Sequence, residues 1–229
     1  MFEKIYIENG LKDLEAVVKI LGQFPRSNVI YIDDFETVFG KVKKPYLQKR
    51  TNLNLFLAQK KGSLVKEAPR AYGLEGDPHY YFIHSYNCIY ECNYCYLQGY
   101  FNSPDIVLFL NHKEIFEEVE LISNSNENEN RHPWFHSGEY SDSLALSHLT
   151  GEIEQLFQTF KKTPKARLEV RTKSVNIKEI LKQDPLENVF ITYSLAPHDR
   201  IIENEHKTPR LSARLQAMKK LDQAGHLLG

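Results

Sequence analysis

HYYFIHSYNCIYECNYC, residues 79–95, decides the reading of this chain. Its first half, 79–86, has the aromatic and β-branched composition of a strand. Its second half carries Cys88, Cys92 and Cys95, the only cysteines in 229 residues. An odd, tightly clustered set argues against a disulfide framework and for a metal or redox site. The C-x3-C-x2-C spacing puts three thiolates on one tight loop, enough for three irons of a four-iron, four-sulfur (4Fe-4S) cluster. The fourth iron is then open to chelate a small molecule and pass it an electron. A ferredoxin-type carrier would need a fourth cysteine. A c-type haem would need His after Cys95, where Tyr96 stands. The competing reading is a Cys3His zinc module with His79, His84 or His112 as fourth ligand, although the usual second ligand pair is missing.

Strand-like and helical segments alternate downstream. WFHSGE (134–139), ARLEVRTKS (166–174) and NVFITYSLAP (188–197) read as strands, and HLLG (226–229) as the start of another. Between them, 143–161 has an apolar helical face (Leu144, Leu146, Leu149, Ile153, Leu156, Phe157), and 176–183 reads as a short helix. RLSARLQAMKKLDQAG (210–225) is a strong helix with Pro209 before it and a C-cap glycine, Gly225, at its end. The segment 114–130, with six acids and no base, is expected to end in an exposed loop without chemistry. Strands alternating with helices imply βαβ units and a parallel sheet, whose site lies at the carboxyl ends of its strands. Cys88, Gly138, Glu139, Lys173 and Ser194 all fall at such ends, which points to one shared site.

Upstream, 11–21 has helical spacing and NVIYIDD (28–34) reads as a strand. Residues 41–70 carry nine Lys/Arg against a single acid, Glu67. That run reads as a solvated surface or as a face for DNA phosphates. Pro69 and GLEGDP (73–78) set an expected division into a small α/β N-terminal subdomain, 1–75, and a core, 76–229. With 29 basic and 30 acidic side chains the chain is no uniformly basic nucleic-acid coat. No apolar run is long enough for a membrane span, and the start reads as neither signal nor transit peptide. The expected compartment is the cytoplasm.

The cysteine spacing with Tyr94 between its last two cysteines resembles the radical S-adenosylmethionine (SAM) superfamily. CNYCYLQGYFNSP (92–104), HSGEYSDSLALSHLTG (136–151), LEVRTKS (168–174), ITYSLAP (191–197) and TPRLSARLQA (208–217) together resemble the spore photoproduct lyase family. The resemblance implies a partial (β/α)6 barrel with a 4Fe-4S cluster on Cys88, Cys92 and Cys95. SAM on the open iron would be cleaved to a 5′-deoxyadenosyl radical that abstracts hydrogen, in that family from a thymine-dimer lesion in DNA. It implies that Tyr94 packs near the adenine and that Gly138 and Glu139 line the SAM amino group. Ser141, Lys173 and Ser194 would be polar SAM contacts, and Tyr96 a catalytic hydrogen relay. A flavodoxin or ferredoxin would supply the electron.

Two departures qualify the likeness. Aligned on Ser141-Asp142, Glu139 stands where the family carries a hydrogen-donating cysteine, and no spare thiol exists. The likeness also stops after about four barrel strands, so a truncated, non-catalytic remnant is the alternative expectation.

Overall fold

Half-buried and buried residues alternate along Lys4–Ile7, so β1 (Lys4–Glu8) turns Ile5 and Ile7 into the core. The computed structural model describes residues 2–41, 53–69, 76–128 and 130–229; residues 42–52 and 70 of the basic run and the expected division at 75 fall outside them. Helix α1 (Glu15–Gln23) returns the chain to β2 (Asn28–Ile32), parallel to β1. Beside β1 lie β3 (Leu55–Ala58) and β8 (Ile106–Phe109), both buried at every position, as parallel strands covered on two faces must be. The sheet order is β2-β1-β3-β8-β6, with β6 (Ser85–Tyr86) antiparallel at the edge. Neither β3 nor β8 is evident in the sequence reading, because β3 is masked by the lysines around it.

The second sheet runs β13-β11-β10-β9-β5-β4. β5 (His79–Phe82), β9 (Trp134–Ser137), β10 (Arg167–Thr172), β11 (Val189–Tyr193) and β13 (Leu227–Leu228) are parallel neighbours in chain order. β4 (Val65–Glu67) closes one edge antiparallel to β5. The expected strands are therefore present, in an α/β fold with two mixed sheets. Strands from both sides of residue 75 share each sheet.

Helices α3 (His112–Ser123), α5 (Glu152–Lys162) and α7 (Leu211–Gln223) cover one face of the second sheet. Ile115, Phe116, Leu156, Phe157, Phe160, Ala217 and Leu221 pack there on Phe82, Phe135, Leu168, Val170 and Ile191. Each fully buried large side chain contributes about 1.5–3 kcal/mol. The opposite face carries His79, Tyr81, Trp134, His136, Glu169 and Arg171.

Three helical expectations change. The stretch 143–161 is two helices, α4 (Ser147–Thr150) and α5, because Gly151 adopts a left-handed φ of 71° between them. The stretch 176–183 shrinks to a single 3-10 turn, Ile180–Lys182. The acidic segment 114–130 is mostly α3, whose buried Ile115, Phe116 and Val119 recur at helical spacing between solvent-facing acids. Gly225 does end α7: its φ is 86°, and His226 N–H donates to Leu221 O at 3.0 Å across it.

Candidate active site on the cysteine loop

All three cysteines are free thiols, and they gather in one small cluster with Tyr90 and Ala145. The loop is tight because Cys95 N–H donates to Cys92 O at 3.0 Å and Tyr90 N–H approaches Cys88 Sγ at 3.4 Å. Burial pushes the Cys88 thiol well up, with the Asp142 charge adding to it; burial also raises Cys92. Among the described residues no three His, Cys, Asp or Glu side chains form a ready-made metal-ligand group.

A two-residue bridge holds the loop from outside. β7 (Glu91–Cys92) pairs antiparallel with β12 (Glu205–His206), which follows α6 (His198–Asn204). Asn93 N–H donates to Asn204 O at 2.8 Å, and Lys207 pairs with Glu91. Past the loop, Tyr96 leads into α2 (Leu97–Tyr100).

Tyr94 and Tyr96 are 61% and 55% exposed, so neither is a core packing ring. Tyr94 donates its phenol to the Glu205 carboxylate, and Lys173 Nζ lies 5.7 Å from the centre of its ring. Tyr96 donates to Glu139 Oε1 at 3.2 Å. Burial and then the Glu139 charge raise the Tyr96 phenol, keeping its proton in place.

The strand ends supply the rest. Gly138 directly follows β9 with φ 85°, and a Cβ there would sit 2.5 Å from Ser143 Oγ and 3.3 Å from Arg171 O. Only glycine fits. Ser141 Oγ lies 3.1 Å from His84 Nε2, while Nδ1 of that ring lies 3.1 Å from Glu152 Oε1. His112 approaches the other Glu152 oxygen at 3.3 Å. Burial alone would lower His84, but the Glu152 carboxylate outweighs it and raises the pKa. In turn, the His84 cation overcomes burial and lowers Glu152. The ring nitrogens of His84 are thus engaged away from the cysteines, and His79 is paired with His136 at 2.9 Å. His136 itself is held by Glu169 at 2.6 Å.

Lys173 and Ser194 follow β10 and β11, and Ser194 N–H donates to Thr172 O at 2.9 Å. The structure therefore brings together Cys92, Tyr94, Lys173 and Ser194 on one side, and Tyr96 with Glu139 on another. Ser141 belongs to the His84–Glu152 network.

Four organising residues were not singled out from sequence. Asp142 accepts from Thr172, Lys173 N–H, Leu144 N–H and Ala145 N–H. Its signal is an Asx turn within Ser-Asp-Ser. Arg214 and Glu205 form a buried ion pair. Arg214 shares the apolar stripe of Ala217 and Leu221, the one clue to its burial. Glu152, fully inside at a helix start, carries no local clue.

A family model described as Spore photoproduct lyase matches residues 77–229, two thirds of the chain and all of the site above. The chain belongs to the spore photoproduct lyase family. A spore photoproduct lyase from a Geobacillus species is 29% identical over 145 residues, covering 62% of this chain and 41% of the relative. That from Bacillus subtilis is 27% identical over 144 residues, with the same coverage. The chain thus spans about two fifths of the length of the curated family members it matches. Among solved structures, a spore photoproduct lyase variant with bound AdoMet and dinucleoside spore photoproduct superposes with a TM-score of 0.81 at 20% identity. A variant with dinucleoside spore photoproduct alone gives 0.83 at 21%. Each covers all of this chain and 66% of the solved one. At that identity the likeness is one of fold.

Proposed function

We propose that this chain is a radical SAM protein that acts in the manner of spore photoproduct lyase, on a thymine-dimer lesion in DNA. The observation that carries the reading is the approach of Lys173, at the carboxyl end of β10, to Tyr94 on the thiol loop, with Ser194 beside β10 at the end of β11. The parallel run from β5 to β13, with its helices on one face, reads as part of a (β/α)6 barrel.

The donor set fits a 4Fe-4S cluster by its chemistry: three reduced thiols on one loop, with an amide already directed at Cys88 Sγ. Cys88, Cys92 and Cys95 would hold it. When bound, the cluster would deliver one electron to SAM and release a 5′-deoxyadenosyl radical. Tyr94 presents an exposed ring for the adenine, and Lys173 a cation for the SAM carboxylate. Gly138 lets the loop after β9 close tightly on Ser143 and Arg171, which sets Glu139 to attract the amino group. Ser141 and Ser194 offer hydroxyls to ribose or amino groups. With Glu139 in place of a thiol, Tyr96 is the hydrogen-atom donor of this reading, its O–H held by that carboxylate. The run 41–70 supplies the cations for DNA, and a flavodoxin or ferredoxin the electron, in the cytoplasm. No helix among the described residues is long and apolar enough to cross a membrane.

Anaerobic reconstitution with iron and sulfide tests the proposal. The expected result is absorbance near about 400 nm with about four irons per chain, and reductive conversion of SAM to 5′-deoxyadenosine. Cys92→Ala should abolish both. Iron loading without SAM cleavage would favour the remnant, and zinc retention without visible absorbance the zinc module.

A further inference from the structure

Arg214 is fully buried, 0% exposed, and sits on the apolar stripe of α7. A guanidinium in such a place is costly unless its charge is paired and its nitrogens find acceptors. Here Nε donates to Pro209 O at 3.0 Å, and one terminal nitrogen to Ser194 O at 2.8 Å. The other donates to Thr208 Oγ1 at 2.9 Å and to the Glu205 carboxylate. Glu205 uses its second oxygen to accept from Tyr94, two residues after Cys92 on the thiol loop. Glu205 is moreover the backbone partner of Cys92 across the β7–β12 bridge. One buried cation thus reaches the end of β11 in one direction and the thiol loop in the other.

We propose that Arg214 and Glu205 are positioning residues that lock Tyr94 and the Cys92 end of the thiol loop in register with Ser194. The assignment rests on the functional reading above for its purpose, but its geometry concerns this chain alone. The rigid fork of Arg suits it: four acceptors in three directions cannot be met by the rotating ammonium of Lys. Glu205 acts through Tyr94, so it touches neither cofactor nor substrate.

The test begins with metal-free, reduced protein. Alkylation of each thiol by iodoacetamide is followed by mass spectrometry, together with amide exchange at Asn93. Glu205→Gln should raise the Cys92 rate and the Asn93 exchange rate about tenfold, the effect of losing about 1.4 kcal/mol of local closure. Exchange in β1 and β2 should stay unchanged. Arg214→Lys should do the same to a greater degree. Tyr94→Phe removes only the phenol end and leaves the ion pair, so combining it with Glu205→Gln should give less than the sum of the two. If Arg214→Lys does not fold, that cycle decides alone. Unchanged Cys92 and Asn93 rates would overturn the proposal. So would a uniform rise across all thiols and both sheets, which marks mere loss of stability.

In reconstituted protein, Glu205→Gln should weaken SAM binding about tenfold at unchanged iron content, and unchanged affinity would again count against it. Failure of the wild-type chain to bind SAM would defeat the functional reading, while the thiol and exchange rates would still decide the positioning role.

Discussion

The backbone N–H of Lys173 donates to Asp142 Oδ2 at 2.7 Å, tying the end of β10 to the loop after β9. The other oxygen of that carboxylate takes Thr172 Oγ1 at 2.7 Å and the amides of Leu144 and Ala145 at 3.0 and 2.9 Å. An amide side chain would turn one NH2 toward donors that need an acceptor. Asp142→Asn should therefore cost about 2–3 kcal/mol, read as a lower urea midpoint at unchanged slope. An unchanged midpoint would show that the donors facing the new NH2 find water instead.

Gly138 is the second fixed point of the same loop. A methyl group there faces both a left-handed φ of 85° and Ser143 Oγ at 2.5 Å. Gly138→Ala should lose about 2–4 kcal/mol. Adding Ser143→Ala removes the nearest obstructing atom and should recover part of the steric cost, leaving the backbone strain and the contacts with Ser143 N and Arg171 O at 3.1 and 3.3 Å. Thermal unfolding of the single and double variants separates the two.

How much of this was legible in the sequence follows from the range of the contacts. The parallel strands of the second sheet were readable because Phe135, Leu168, Val170 and Ile191 sit in short β-branched or aromatic runs bounded by turn residues. The thiol loop and the strand-end positions came with them. Helix α3 was hidden because its acidic face dominates the composition of 114–123, although the buried spacing was there. The Tyr94–Glu205 contact joins residues 111 apart, and Ser141–His84 spans 57. No local pattern specifies pairings of that range; they follow only once the sheet has set β9, β10 and β11 side by side.

Glu169 predicts an acid-sensitive contribution. Burial would raise its carboxyl, but His136 and Arg171 hold it down at about 2. Because the folded pKa is depressed, its stabilisation is present above the ordinary value of 4.5 and is lost as the pH falls toward about 2. Allowing for solvent screening, Glu169→Gln should cost about 1–2 kcal/mol at neutral pH. The difference from wild type should shrink steadily below about pH 4.5 and vanish only below about pH 2. Denaturant melts across that range check it, and a constant difference would assign the loss to packing.

Glu152 predicts the opposite slope. Its carboxylate raises His84 above 6.5, and a raised histidine contributes stability that is complete below that value and fades as the pH climbs through the folded pKa. Glu152→Gln removes the anion and leaves burial to act alone, so His84 must then fold as the neutral ring. Below about pH 6.5 the variant pays for removing that proton, and wild type does not. The stability gap should therefore be widest near about pH 5.5, on the order of 3–5 kcal/mol as for a broken buried pair, and should narrow toward about pH 8.5. His112 adds to the same sign, since burial lowers it and the Glu152 charge is what opposes that. Urea titrations of both proteins at the two pH values measure the gap. A gap that widens with rising pH would show that His84 is neutral in the native protein and that Ser141 is held by a different proton arrangement.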